Sequence, residues 1–299
     1  MSIDPIISIG KALWKGTKKS DDKRISGQTP PSGITEVNDI PYIDDGNRLH
    51  LFDVYYPEGT DRPLPVIIDI HGGGWMYGDK ELNKYYCLML AKRGYTVFNV
   101  SYRLVPEVTI PDQIRDCMSA LKYISLHMDE YPADRTDVIL TGDSAGGMLS
   151  AYCTGLLGSG TLREIFGVDS FELPLKGLIL TSPVPFIEKS GVMSLYLKRM
   201  WGDCADEPQI LSYASFDRIV PYTAFPRTCL TTSAGDFVAH DQTVKAYELL
   251  RDNGCECRLD DVQGPEGKKL PHVYGVTDAF SAAGRGVTDR ALAYIGGKR

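Results

Sequence analysis

Thr141-Gly142-Asp143-Ser144-Ala145-Gly146-Gly147 is the stretch on which the reading of this chain turns. It contains Gly-x-Ser-x-Gly, a pattern short enough to arise by chance in a chain of ordinary composition. Its surroundings give it weight. Residues 137–141 form a strand-like run, and residues 145–157 carry helical spacing. A serine at such a sharp strand-to-helix turn is held clear of its neighbours, and the flanking glycines permit the tight backbone. The helix that starts there adds positive potential beside the hydroxyl. The alternative, a serine that only caps a helix, becomes the weaker reading once the other motifs are counted.

Outward from this turn, strand and helix patterns alternate. Strands are expected over residues 48–56, 66–70, 95–100, 137–141, 175–181, 227–232 and 255–262. Helices are expected over 80–93, 112–127, 145–157, 239–252 and 288–295. Alternation of this kind means a mainly parallel sheet covered by helices on both faces. The continuous apolar run at 66–70 suits a strand buried on both sides. Directly after it comes His71-Gly72-Gly73-Gly74-Trp75. Three successive glycines forfeit backbone entropy and add no packing, so a loop that keeps them needs close backbone approach to a ligand. A tetrahedral oxyanion needs N–H groups aimed at one point. Gly73 and Gly74 would supply two, and Ala145 at the helix start a third.

A nucleophilic serine also needs a base and an acid, which in a fold of this kind follow it in the order Ser, Asp or Glu, His. Only His240 and His272 come after Ser144. His272 lies in a loop beyond the last strand, where the base belongs, whereas His240 sits one helical turn past the preceding strand. The acid belongs in the loop after that preceding strand, Ser233-Ala234-Gly235-Asp236. Asp236 is therefore preferred, with Asp241 as runner-up and a helix N-terminal charge as the latter's alternative role.

Together these residues resemble the hormone-sensitive-lipase family of bacterial esterases, in the α/β-hydrolase superfamily. The resemblance runs from about residue 45 to the C-terminus. It rests on the His71–Trp75 and Gly142–Gly147 motifs, Gly235-Asp236, Pro271-His272 and Ser101-Tyr-Arg-Leu-Val-Pro-Glu107, with Ile110-Pro111 and Asp116 downstream. It implies an α/β-hydrolase fold with a helical cap built from the N-terminal segment. It also implies a triad of Ser144, Asp236 and His272, an oxyanion hole of Gly73, Gly74 and Ala145, and activity on short-chain acyl esters. The chain departs from the family around the acid (Gly235-Asp-Phe-Val-Ala-His-Asp241), after the base (Val273-Tyr274) and in the charged stretch 264–270.

The remaining features set limits. The chain has 299 residues, 43% hydrophobic and 24% charged, enough for one large domain with insertions. Residues 1–45 are read as an N-terminal cap segment, 46–299 as the catalytic domain, and 184–226 as a cap insertion that interrupts the alternation. Ile3, Ile6, Ile7, Leu13 and Trp14 make an apolar stripe, followed by an expected loop over 19–33. Met193, Leu195, Tyr196, Leu197, Met200 and Trp201 form a second apolar cluster. The substrate pocket is expected to use Trp75, Tyr196, Met200 and Trp201. A net charge of −7 argues against nucleic acid or an anionic membrane as partner. Seven cysteines with no C-x-x-C pair and no visible signal peptide read as reduced thiols of a cytoplasmic protein. A metal at Cys255-Glu-Cys257 is the lesser reading, so neither metal nor organic cofactor is expected. The expected partner is a small ester, with a homodimer left open. Three alternatives stay in view: a peptidase or amidase of the same fold, a non-catalytic binding protein, and a membrane-surface lipase anchored by the Lys-bearing N-terminal helix.

Overall fold

In Leu64–Ile70, Val66, Ile67, Ile68 and Ile70 are each at most 1% exposed, so this strand must be covered on both faces. It sits inside an eight-stranded sheet whose order is β1-β2-β4-β3-β5-β6-β7-β8. The strands are β1 (Ile34–Pro41), β2 (Leu51–Pro57), β3 (Leu64–Ile70), β4 (Thr96–Val100), β5 (Ala133–Asp143), β6 (Leu175–Thr181), β7 (Arg227–Thr232) and β8 (Cys257–Asp261). β2 runs antiparallel to both β1 and β4, and every other pairing is parallel. The structure is a computed structural model that describes residues 5–186, 200–202, 208–264 and 267–296, with side chains from residue 14 onward except that of 208.

Side-chain alternation divides the core between the two faces. Val66, Ile68 and Ile70 of β3 join Val138 and Leu140 of β5 on one face. There they meet α3 (Ile110–His127), α4 (Ser144–Gly158), α5 (Gly160–Phe166) and α6 (His240–Asp252). Ile67, Val97, Ile139 and Ile179 point the other way, onto α2 (Lys84–Lys92) and α7 (Ala282–Gly296). Each such aliphatic side chain taken fully out of water contributes about 1.5–3 kcal/mol, which is why a slip of one residue in register is excluded. α3 starts from a capping box at Thr109 and Asp112, with Pro111 in its first turn. β4 lies on one side of β3 and β5 on the other. The chain therefore changes direction at β3, and a crevice opens at the carboxyl ends of β3 and β5, where open α/β sheets bind ligands.

Several elements differ from the sequence expectation. α1 (Pro5–Ser26) runs through the front of the expected loop at 19–33. Pairs at helical spacing, Lys18–Asp22 and Asp21–Arg24, support it there, and the first proline beyond it is Pro30. Residues 34–41, placed with the N-terminal cap segment by sequence, form edge strand β1. Its alternation is interrupted by a bulge between Val37 and Ile40, where Asp39 adopts φ 60° and its N–H bonds Asp53. The helix expected at 288–295 begins at Ala282, and α5 was not foreseen. Cys255 precedes β8 with its thiol beside that of Cys257, and among the described residues no three His, Cys, Asp or Glu side chains converge as a metal site requires. No described helix is long and apolar enough to cross a membrane.

The described parts of the insertion at 184–226 lean on α4. The Trp201 ring packs tilted against the Tyr152 ring, centroids 5.8 Å apart, and the Tyr152 hydroxyl donates to the Tyr213 carbonyl. Ile219 packs so close to Gly155 that a Cβ there would lie 2.5 Å from it. Ile3, Met193, Leu195, Tyr196 and Leu197 lie outside the described residues, as do the side chains of Ile6, Ile7 and Leu13.

Candidate active site

β5 ends at Asp143 and α4 begins at Ser144 without a linker. The turn forces Ser144 to φ 50°, a left-handed conformation that is uncommon outside glycine and marks strain at functional sites. Both flanking glycines are required by contact. A Cβ at 142 would lie 2.4 Å from the Gly146 carbonyl oxygen, and one at 146 would lie 2.0 Å from that of Ile70. The serine is thus lifted out of the strand end, and its hydroxyl faces two loops that come from far along the chain.

His272, after β8, supplies the first. Its Nε2 is 3.0 Å from Ser144 Oγ, and its Nδ1 is 2.9 and 3.0 Å from the two oxygens of Asp236. Asp236, in the loop after β7, is 1% exposed and also accepts the N–H groups of Val238 and Ala239. Burial alone would raise its pKa, but the hydrogen bond and charge of His272, with the Ala239 N–H, outweigh that and hold the carboxyl below its ordinary value. Asp236 is therefore ionised when His272 carries a proton on Nδ1. The other acid and base weighed from sequence pair with each other: His240 Nδ1 is 3.0 Å from Asp241, and its Nε2 3.0 Å from Asp261, on an exposed helix start. His240 is raised by these carboxylates. Among the described residues no hydrogen bond joins either of them to His272.

Gly73 and Gly74 lie on the other side of Ser144, at φ 112° and 55°. The Tyr77 carbonyl would sit 2.0 Å from a Cβ at 73, and the Trp14 ring 2.2 Å from one at 74. Ala145, buried in the first turn of α4, has an N–H with no intrahelical acceptor. Gly73, Gly74, Ser144, Asp236 and His272 line one cavity of about 880 Å³. Trp75 is among its walls, held by hydrogen bonds from Val105 and Gln113 to its carbonyl. Met200 and Trp201 are not among the described lining residues: both are buried in the core over α4, because the insertion folds onto that helix. Tyr196, the fourth pocket residue expected from sequence, lies outside the described residues.

Sequence reasoning missed the support beneath the glycine loop. Asn83 Nδ2 donates to Asp69 and to Asp143, each at 2.8 Å, and Asp143 also takes the Gly72 N–H at 2.9 Å. The loop is thereby tied to the residue before the serine. Burial, then the neighbouring Asp143 charge, push the Asp69 carboxyl up to about 8, so it is protonated at neutral pH. The signal available in the sequence was a charge within the apolar run of β3. Burial lowers the pKa of His71, whose neutral ring stacks on Tyr102 at 4.4 Å. Tyr77, Phe186 and Val184 complete walls that no motif pointed to.

A serine hydroxyl hydrogen-bonded to an imidazole, with a buried carboxylate on the far nitrogen and glycine N–H groups opposite, is equipped for acyl transfer. Comparisons with known proteins agree in kind. The family described as BD-FAE matches residues 52–166. Tuliposide A-converting enzyme b1, amyloplastic, from Tulipa gesneriana is 32% identical over 171 residues, 52% of this chain and 46% of that protein. Tuliposide A-converting enzyme 2, chloroplastic, from the same plant is 30% identical over 265 residues, 82% of this chain and 67% of that protein. The alignment thus spans about half the length of the first of these relatives and two thirds of the second. Among solved structures, esterase B from Lactobacillus rhamnosis, in a form inhibited by a C4-C4 SN3 tributyrin phosphonate, is 26% identical with a TM-score of 0.92, over 98% of this chain and 96% of that one.

Proposed function

Because this chain belongs to the hormone-sensitive-lipase family of α/β-hydrolases, whose matched solved relatives are esterases, we propose that it is a carboxylesterase that cleaves short-chain acyl esters through an acyl-enzyme on Ser144. The observation that carries this reading is the unbroken chain of hydrogen bonds from Ser144 Oγ through His272 to Asp236, opposite Gly73 and Gly74. His272 Nε2 takes the hydroxyl proton as Ser144 Oγ bonds to the ester carbonyl carbon. The carbonyl oxygen gains negative charge, which the N–H groups of Gly73, Gly74 and Ala145 stabilise. Asp236 holds the tautomer that leaves Nε2 free to accept, and stabilises the imidazolium. His272 then gives its proton to the departing alkoxide oxygen, leaving the acyl group on Ser144. Water repeats the sequence: its proton goes to His272, its oxygen to the acyl carbon, and the acid leaves as Oγ regains the proton.

The preference for short acyl groups rests on the cavity. Trp14, Trp75 and Phe186 stand in its wall within the same space as Ser144, where large rigid side chains would restrict a long acyl chain. Two measurements test the proposal. A serine-directed alkyl phosphonate should add once, at Ser144 by peptide mass mapping, and p-nitrophenyl esters should be turned over fastest at short acyl length. Labelling at another serine, or cleavage of the matching anilides at comparable rates, would replace the esterase reading with another.

A further inference from the structure

A second cavity, of about 560 Å³, lies behind the first. Apolar Leu49, Met76, Leu104 and Val105 line it together with charged Lys15, Lys18, Arg103 and Glu107. Two residues line both cavities: Trp14 and Tyr77. Their rings are stacked, with centroids 5.6 Å apart and planes 13° from parallel. The stack is fixed at both ends. The Tyr77 hydroxyl donates to Asp21, which pairs with Arg24 on the same helix, and the Trp14 ring bears directly on Gly74. The Tyr77 backbone crowds Gly73 in the same way, so the partition grows from the loop that faces Ser144.

We propose that the Trp14–Tyr77 stack is the stop that sets acyl chain length, and that the cavity behind it is the space a longer chain would occupy if the stack were opened. The inference rests on the esterase reading of the Ser144 site. An acyl chain leaving the reacting carbon past Gly74 meets the indole of Trp14 first. On the near side, each further methylene that finds apolar contact improves kcat/KM about fourfold. A methylene that must displace a clamped aromatic pair loses more than it gains. Beyond the stack, contact with Leu49, Met76, Leu104 and Val105 restores the gain.

The test is a series of p-nitrophenyl esters from two to sixteen carbons on Trp14→Ala, Trp14→Phe and wild type. Trp14→Ala should move the optimum from short chains to eight carbons or more, raising kcat/KM on ten- and twelve-carbon esters by about tenfold or more. Trp14→Phe should retain the wild-type profile. Loss of the indole could also loosen α1, so the double variant Trp14→Ala/Leu104→Trp refills the rear cavity. If the chain passes through the opened stack, the double variant loses the long-chain gain that Trp14→Ala shows, read as the ratio of long- to short-chain kcat/KM. A long-chain gain that survives the refilled cavity would overturn the proposal, as would an unchanged profile in Trp14→Ala. Either result, in a protein whose wild type still takes phosphonate at Ser144 and cleaves short esters, counts against the stack alone. Absence of labelling and turnover in the wild type counts against the esterase reading instead.

Discussion

The two halves of the catalytic constellation are built by different means. The nucleophile half is a backbone device: a strand end, a left-handed serine at φ 50°, and glycines whose neighbours leave no room for a Cβ. The base half is a side-chain device. His272 reaches an acid 36 residues earlier and a nucleophile 128 residues earlier, from a loop with 23% of its side chain exposed. Beside the acid, Phe237 and Val238 are 95% and 50% exposed, so packing holds that loop mainly from within, where Gly235 lies against the Leu270 backbone. Steric closure dominates the first half and directed hydrogen bonds the second. Perturbing each half should therefore fail in a different way.

The largest effect should come from Ser144→Ala, which lowers kcat on a short ester by about 10⁴-fold or more while the thermal midpoint stays within a few degrees of wild type. Asp236→Asn follows, at about 10⁴-fold, because an amide can hold the wrong imidazole tautomer. Its fold should survive, and a collapse of the far-ultraviolet spectrum would mean that the acid loop is as sterically built as the elbow. Gly146→Ala should do the opposite. A Cβ 2.0 Å from the Ile70 carbonyl must displace backbone, costing about 3 kcal/mol of stability in urea titration. Normal stability in this variant would break the contrast.

Asp69 sharpens the same contrast through pH. Its folded pKa, about 8, lies above the ordinary carboxylate value, so the folded state favours the protonated form. The contribution is fully present at acid pH below the unfolded value and is lost as pH rises towards and through about 8, because only the unfolded chain ionises freely there. Asp143, Cys87, Tyr86 and Tyr102 are titratable groups around it. The Asp69→Asn variant should gain in thermal midpoint relative to wild type as pH goes from 6 to 9, and parallel curves would refute this. The smallest effect belongs to Asp241→Asn, within about twofold of wild type in kcat/KM, because its fully exposed carboxylate pairs with His240 rather than His272.

The same division explains what was legible in the sequence. Gly142 and Gly73 answer to neighbours within eight residues and Gly146 and Gly74 to Ile70 and Trp14 far along the chain, but all four stand in short glycine motifs beside a strand end, and such motifs are visible in the sequence. β3 and β6 were legible because burial on both faces demands apolar runs, whereas β7, equally buried, carries three threonines and was read from its place in the strand–helix alternation. The choice between Asp236 and Asp241 could be only weighed, since both follow β7 and only tertiary contact separates them. Asn83 was invisible, because nothing in its neighbours announces two carboxylates from other strands. Met200 and Trp201 misled as pocket residues for a related reason: an apolar cluster must be covered, but its composition does not say by what. α1 was cut short because a polar run beyond Lys19 can also be the solvent face of a helix.

The two ends of the sheet have a consequence for the protein at high concentration. β1 and β8 each leave one row of N–H and C=O groups unpaired by the sheet, and such rows template strand addition between molecules. β1 is bent by its bulge at Asp39 and closed by Pro41, which has no N–H to offer. On β8, Arg258 and Arg290 hold Asp260 between them, and His240 holds Asp261, so a second strand approaching this rim must desolvate fixed charges. Fibrillar stacking through either rim is opposed by the native sheet itself, and a neutral replacement for Asp260 or Asp261 would weaken that protection before it touched catalysis.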